Sequence, residues 1–554
     1  MKKNSFIEGT IVATLTIVLI KVLGIIYVIP FYAVIGALGS ALYSYAYNVY
    51  ATFLDISSAG IPIAIAKLVS EFDSLKMKDA KVRTFRMGIK IVSVLSIVCF
   101  LILIFFTKPI VLLIIGNKIG GNSIQDIILV IRVIAFSILI IPFLSVSRGY
   151  LQGHKFISPT SSSQMLEQIV RIIVVLVGSY VAIKILGKSV STGVAIACFG
   201  AFVGGFASII YILKKIKQNR TKLDLKGDLE KDDISNKDIL KKIIQYALPF
   251  IIINATVNLY NLVDMSLVIR TLGHFGFTGA DSEFIAGVIT TWGYKLNRIV
   301  NAISTGLIIS LIPNIVAAHT LGKNRTVNNI FNQALQIVLF VSIPAAIGLS
   351  FLAAPVWNAF YGASDLGPVI FKVSILTSIL SNLYFISIQT AQSLNEYKTV
   401  YRAVILGFLI NALMDIPFMY VCNYLNIHAY YGAIFATLFG YSVSVLIVFN
   451  KLLKREEFKI KESVNVFAKI SFAVLVMVVV LRLINVFYHY HYLSRLNSVL
   501  YIAIYTIVGA LVYFAITYKF GLIDKIFGKK MVNKIVRKIT FGKVNLPYEE
   551  ETEE

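Results

Sequence analysis

Lys21 stands near the middle of the first long apolar stretch, residues 9–36, with isoleucine, valine and leucine on both sides. Lys295 and Arg298 stand at a similar depth in a much later apolar stretch, residues 284–312. At 1.5 Å per residue a mid-span ammonium lies about 15–20 Å from either membrane surface, too deep to snorkel out. A cation at that depth costs about 2.5–3.5 kcal/mol on insertion scales and persists where it faces water or an anionic partner. Cations so placed in both halves of a membrane protein point to a central pathway for something negatively charged. Lys21 has a second use, a buried pair with Asp55 at mid-depth in the next stretch. The two uses are compatible, because such a pair can open when an anion arrives.

Lys295 and Arg298 are three residues apart and share a helix face. Two cations on one face repel unless an anion or carboxylate lies between them, and Asp264 on the preceding stretch is a candidate partner. Arg298 can alternatively clamp backbone carbonyls. Lys21, Asp55, Lys295, Arg298 and Asp264 are therefore the candidate substrate-binding residues of a wet cavity. Asn254, Asn258 and Asn261 add polar surface of the kind that more often joins membrane helices than binds substrate. Glu167 and Arg171, four apart in the favourable order, read as a structural polar pair that locks their span. Arg402 and Asp415 lie toward the ends of their stretch, where snorkelling accounts for both.

The elements that must carry these residues are membrane helices. The chain has 554 residues, 57% of them hydrophobic and 14% charged, against about 45–50% apolar in soluble domains. Runs long enough to cross about 30 Å of hydrocarbon recur from end to end. The fold class expected is all-α and polytopic, since the short alternating segments of a membrane β-barrel are absent. Fourteen spans are expected, near 9–36, 38–66, 87–106, 124–150, 159–184, 190–213, 243–269, 284–312, 327–352, 367–392, 399–421, 428–450, 464–486 and 497–518. Loops at 67–90, 214–242, 451–463 and after residue 519 are rich in Lys and Arg, whereas those at 271–283, 353–366 and 422–427 contain neither. That alternation, with an even number of spans, puts both termini in the cytoplasm.

Residues 214–242 form the longest polar loop and read as a solvated linker. It separates an N-lobe of six spans (1–213) from a C-lobe of six (243–450). Two further spans follow in 451–520. Ser58-Ala59-Gly60 and Ser304-Thr305-Gly306 form a weak internal repeat, each expected at a helix exit, as in transporters built from two pseudo-symmetric halves. The tail, 521–554, alternates apolar residues with Lys and Arg as far as Lys543. It reads as a basic amphipathic helix on anionic lipids, ending in the acidic run Glu549–Glu554.

Other functions are excluded by what is missing. The net charge of +24 is a loop charge set by membrane topology, so no nucleic acid is expected. Cys99, Cys198 and Cys422 are far apart and form neither a disulfide framework nor a zinc site. His489 and His491 have no acidic neighbours, and no metal is expected. There is no phosphate-binding G-x-x-x-x-G-K-[ST] loop and hence no ATP motor. The outward loops are too short for a catalytic domain, so no enzyme is expected. Met1-Lys2-Lys3 resembles the start of a signal peptide, but the apolar run behind it is too long, which makes it an uncleaved first span.

Two segments carry a resemblance. One is Ser147-Arg148-Gly149-Tyr150-Leu151-Gln152-Gly153, followed by Pro159-Thr160, Ser163-Gln164, Glu167-Gln168 and Arg171. The other is Leu42-Tyr43 with Tyr45, Tyr47 and Tyr50, then Ser58-Ala59-Gly60-Ile61-Pro62 and Ala66-Lys67-Leu68-Val69-Ser70-Glu71. Together they resemble the polysaccharide-transport and stage V sporulation protein B branch of the multidrug/oligosaccharidyl-lipid/polysaccharide (MOP) exporter superfamily. The resemblance covers essentially the whole chain. It implies a monomeric flippase of a bacterial cytoplasmic membrane with two lobes, alternating between inward- and outward-open states. Its substrate would be an undecaprenyl-diphosphate-linked saccharide, such as the cell-wall precursor lipid II. Charges on spans one, two, seven and eight would line its cavity. In the related MurJ-type flippases, arginines on some of those spans are proposed to hold the diphosphate. Lys21 matches the first such position and Lys295 lies near the one on span eight. Tyr27 and Leu54 or Asp55 fall at the others, so the cation set is only partly kept. No cofactor is implied beyond a coupling ion or the membrane potential. Asp55 and Asp264 support a second reading, a drug/cation antiporter of the same superfamily. A third class is a non-transporting scaffold for cell-wall or spore-coat synthases.

Overall fold

A polypeptide in hydrocarbon must satisfy its backbone hydrogen bonds within each segment, which leaves helices as the economical solution for this sequence. The computed structural model describes residues 16, 19, 20, 22–116, 121–225, 231–454, 459–487, 490 and 494–527, and among these there are helices and no strand. Lys21, almost all of the basic tail and the acidic run lie outside them.

Twelve described runs are long and apolar enough to cross a membrane. The first, Val22–Ser74, has 53 residues, about 80 Å if straight at 1.5 Å per residue. It contains the second expected span and residues 22–36 of the first, and it is broken twice, at Gly36 (φ 65°) and Gly60 (φ 80°). Only glycine takes such backbone angles without cost. Gly60 is doubly required, because a Cβ there would lie 2.5 Å from the Ala247 carbonyl oxygen. Helix α1 is Val28–Ser58, kinked at Gly36, and α2 is Ile61–Ser74. The eighth expected span, 284–312, is helical but falls outside the twelve. The chain is a multi-pass membrane protein of the class expected.

After α2 come α3 (Lys78–Phe105), α4 (Thr107–Ile115), α5 (Ile124–Gly153) and α6 (Ile157–Ile173), which continues through the wider turns Val174–Gly178 and Val181–Ile185. They are followed by α7 (Val190–Gln218), α8 (Asn236–Leu272), α9 (Gly279–Gly287), one π turn at Val288–Trp292, and α10 (Gly293–Thr320). Then come α11 (Asn324–Phe351), α12 (Ala353–Tyr361), α13 (Leu366–Ser374), α14 (Thr377–Ser393), α15 (Tyr397–Tyr424), α16 (Tyr431–Leu453), α17 (Lys461–Phe487), α18 (Arg495–Lys519) and α19 (Leu522–Phe527). Helix starts are fixed by hydroxyl caps. Ser123, Ser235 and Thr278 each accept a 3.1 Å bond from the backbone N–H three residues on, satisfying a donor the helix leaves open.

The expected repeat differs at the backbone. Gly60 ends a helix, whereas Gly306 lies inside α10, which runs on to Thr320. An α-helical Gly306 has its N–H and C=O in the ladder, so nothing forces an exit there.

The chain divides into two compact units. One is Met1–Lys295 with Val404–Gly440, and the other is Leu296–Ala403 with Tyr441–Glu554. In the first, an apolar core around Ile65, Leu68, Leu144, Tyr150 and Ile243 packs α2, α3, α5 and α8 together. In the second, α17 and α18 lie on α11 and α12. Helix α18 is pinned by Tyr513, whose hydroxyl donates to the Phe340 carbonyl at 2.7 Å, and by Ser498, whose Oγ accepts from Asn358 at 2.9 Å.

The polar segment between α7 and α8 is less solvated than its composition predicts. Leu223 is buried, its carbonyl accepts from Tyr150 at 2.6 Å, and Asp232 accepts from the Ala80 N–H at 2.7 Å. Lys81 bridges Asp73 and Asp224 at 2.6 and 2.5 Å. Charged residues that dock on helix ends are indistinguishable by composition from ones that face water.

Candidate functional site: a cationic aromatic pocket and a buried carboxylate pair

Helix α1, with Tyr27 just before it, brings Phe31, Tyr32, Tyr43, Tyr47 and Tyr50 toward one region, which the π turn before α10 completes with Trp292. Trp292 is fully buried. Its indole N–H donates to the Ser40 carbonyl at 3.1 Å, and its ring packs on Tyr32 and Tyr43 with centroids 5.2 and 5.7 Å away. Asn48 ties α1 to the same turn through Thr290 and Thr291, at 3.0 and 3.2 Å. Single π turns recur at functional sites because they reset which residues face the neighbouring helix.

Lys295 is half-buried against this surface. Its ammonium lies 4.1 Å from the Trp292 ring, 4.6 Å from Tyr43 and 5.8 Å from Tyr27. Each such contact holds a cation by about 0.5–2 kcal/mol. Arg171 of α6 lies within electrostatic reach of the phenols of Tyr43, Tyr50, Tyr47 and Tyr27. Both cations also act on Cys198. A cation held on ring faces, with a second within electrostatic reach of the same phenols, suits a ligand with several anionic oxygens, as in a phosphate or diphosphate.

Arg171 is thus a correction. The spacing predicts an ion pair with Glu167, but Glu167 Oε2 lies 2.8 Å from Arg148 Nη2 on α5. Arg148 is nearly buried and is also held by Ser163 and Ser208, both at 2.8 Å. A buried guanidinium needs a counter-charge, and Glu167 supplies it, which leaves Arg171 to the tyrosines. Arg148 lies in the Ser147–Gly153 signature, where its charge in an apolar span marks it for such a role.

Asp264 does not join Lys295. It is buried in a second cluster of the same unit, where its Oδ2 accepts from Thr437 at 2.8 Å. Asp415 and Asn411 of α15 complete the cluster. Asn411 Nδ2 lies 3.4 Å from both Asp415 Oδ1 and Thr437 Oγ1. Asp415 was expected to snorkel, yet it is 0% exposed and adjoins Asp264. Asp264 Oδ1, Asp415 Oδ2 and Asn411 Oδ1 are buried without a hydrogen-bond donor. Two carboxylates this close repel unless a proton or cation lies between them, and these hard oxygens suit a small cation. The signal in the sequence was Asn411 and Asp415, four apart on one face of an apolar helix.

Asp55 accepts from Asn258 Nδ2 at 2.5 Å, which joins α1 to α8. Arg298 and Arg402 are exposed. Asp73, His154 and Asp224 bring possible ligand atoms within 4.8 Å of one another, but the Lys81 ammonium already bridges the two carboxylates there. That cluster is a clasp between the α2 end and the α7–α8 segment.

Comparison with known proteins places this geometry. The Bacillus subtilis (strain 168) protein named lipid II flippase MurJ is 28% identical over 541 residues, 95% of this chain and 98% of that one. A solved structure of lipid II flippase MurJ in an inward closed conformation matches with a TM-score of 0.68 at 18% identity, covering 92% of this chain and 98% of the other. An inward-facing multidrug resistance MATE family transporter of the MOP superfamily matches with a TM-score of 0.61 at 16% identity, covering 78% and 94%. The chain therefore shares its fold with these two transporters. The polysaccharide biosynthesis protein family matches residues 6–313, more than half of the sequence, and the chain belongs to that family.

Proposed function

We propose that the chain is a transporter, not an enzyme: a flippase that moves an undecaprenyl-diphosphate-linked saccharide, a cell-wall precursor of the lipid II kind, across a bacterial cytoplasmic membrane. The observation that carries this reading is the Lys295 ammonium seated on the Trp292 and Tyr43 rings, with the charge of Arg171 within electrostatic reach of Tyr43. An anionic headgroup entering there finds the Lys295 ammonium already held on aromatic rings, so little reorganisation is needed to bind it. The full-length similarity to a protein named lipid II flippase supports the substrate class.

With the basic loops in the cytoplasm, an inside-negative potential favours outward movement of the diphosphate by about 2.3 kcal/mol per charge per 100 mV. The site would open alternately to the two sides of the membrane. Depletion of the protein in its host tests the reading. Lipid-linked precursor should accumulate in the inner leaflet, and unchanged precursor levels would reject it.

The Asp264–Asp415 pair favours a second element, coupling to sodium or protons. If the cluster served a drug/cation antiporter instead, expression in a sensitive host would confer drug resistance that varies with sodium or pH. A flippase coupled to the same ion would confer none.

A further inference from the structure

A groove of about 490 Å³ opens on the side of the first unit between α3 and α8. Ile61 and Ala247 form its floor, beside the close approach of Gly60 to α8. Its walls are apolar and open outward: Val94 is 62% exposed, Ile244 51% and Leu248 44%. An apolar recess on a membrane helix pair takes a hydrocarbon chain. What distinguishes this one is its rim. Lys90 lines it from α3, with Arg86 one turn earlier on the same face. On α8, Lys241 precedes Ile244 by one turn and Lys237 precedes Lys241 by another. All four cations are exposed. The nearby carboxylate of Glu71 is taken by Lys242 at 2.7 Å, and Lys67 is spent on the Tyr246 ring at 3.8 Å. The mouth therefore carries excess positive charge at the end of the helices that joins the basic loops, the cytoplasmic end by loop charge.

We propose that this groove is a binding site for an anionic phospholipid of the inner leaflet. One acyl chain lies along Val94 and Leu248, and the phosphate meets Lys90 and Lys241. A neutral lipid fills the apolar part equally well, so the lysines are what select. Each lysine near an anionic lipid phosphate is worth about a fivefold preference.

The test uses the full-length protein in phosphatidylcholine vesicles. The chain has two tryptophans, Trp292 and Trp357, both almost fully buried. Val94→Trp adds a lipid-facing reporter, and Ile244→Trp is a second should the first fail to fold. Lipid with brominated chains quenches the reporter when it occupies the groove. Brominated phosphatidylglycerol should bind with about fivefold or greater preference over brominated phosphatidylcholine. Lys90→Gln with Lys241→Gln should bring that ratio to about one and leave quenching by phosphatidylcholine unchanged. A ratio of one with both lysines present, or one that survives their neutralisation, overturns the proposal. Relief of quenching by polyprenyl phosphate at lower mole fraction than by phosphatidylglycerol also overturns it, since the groove would then belong to the transported lipid.

Discussion

The ammonium of Lys295 sits 4.6 Å from the centre of the Tyr43 ring, and the Tyr43 phenol also feels the charge of Arg171. One aromatic residue thus touches a cation from one helix and lies within electrostatic reach of a cation from another. Tyr43→Phe keeps the ring face and should keep Lys295 in position. Tyr43→Leu removes it, and the apparent affinity for lipid-linked substrate should fall about two- to thirtyfold, the range of one cation–π contact. Substrate titration of flipping by the two variants checks this, and equal behaviour of Phe and Leu would remove Tyr43 from the site.

Arg148 and Glu167 are predicted to govern stability rather than transport. Glu167→Ala leaves the nearly buried Arg148 without its counter-charge, a loss of about 3–5 kcal/mol. Glu167→Gln retains an accepting oxygen and should cost less. Thermal unfolding in detergent measures both, and an Ala variant as stable as the parent would show that the pair contributes little.

Asp264 and Asp415 are predicted to bind a small cation. Sodium at about a hundred times its dissociation constant should stabilise the parent by about 2.7 kcal/mol over choline. Asp415→Asn should abolish that response. A parent whose melting temperature ignores sodium but shifts with pH would identify a shared proton instead. Indifference to both would leave the cluster without a coupling role.

Gly60→Ala and Gly36→Ala separate backbone strain from close approach. Both positions have positive φ, which costs a residue with a Cβ about 1–3 kcal/mol. Gly36 has open space around it, whereas at Gly60 the new methyl also meets the Ala247 carbonyl at 2.5 Å. Gly60→Ala should therefore lower the melting temperature more. Equal losses would mean that α8 gives way easily at that contact.

The membrane fold was legible because hydropathy and loop charge follow directly from the bilayer as solvent. The site was legible only in part. Lys295 stood out because a cation deep in an apolar span is expensive anywhere, and its depth is readable from spacing. Arg171 did not, because a carboxylate four residues before it offered a cheaper explanation; only the packing of α5 on α6 shows that Arg148 takes that carboxylate. Asp415 was misjudged for a related reason. Distance from a span end says whether a side chain can reach water, not whether another helix seals it off. The α3–α8 groove joins residues more than a hundred positions apart, which no local pattern encodes.

Headgroup flipping in proteoliposomes tests the central claim most directly. The purified chain should move a fluorescent undecaprenyl-diphosphate saccharide between leaflets, and Arg171→Ala with Lys295→Ala should abolish that movement while the protein stays folded. A folded double variant that flips at the parent rate would contradict the assignment of these two cations to the diphosphate.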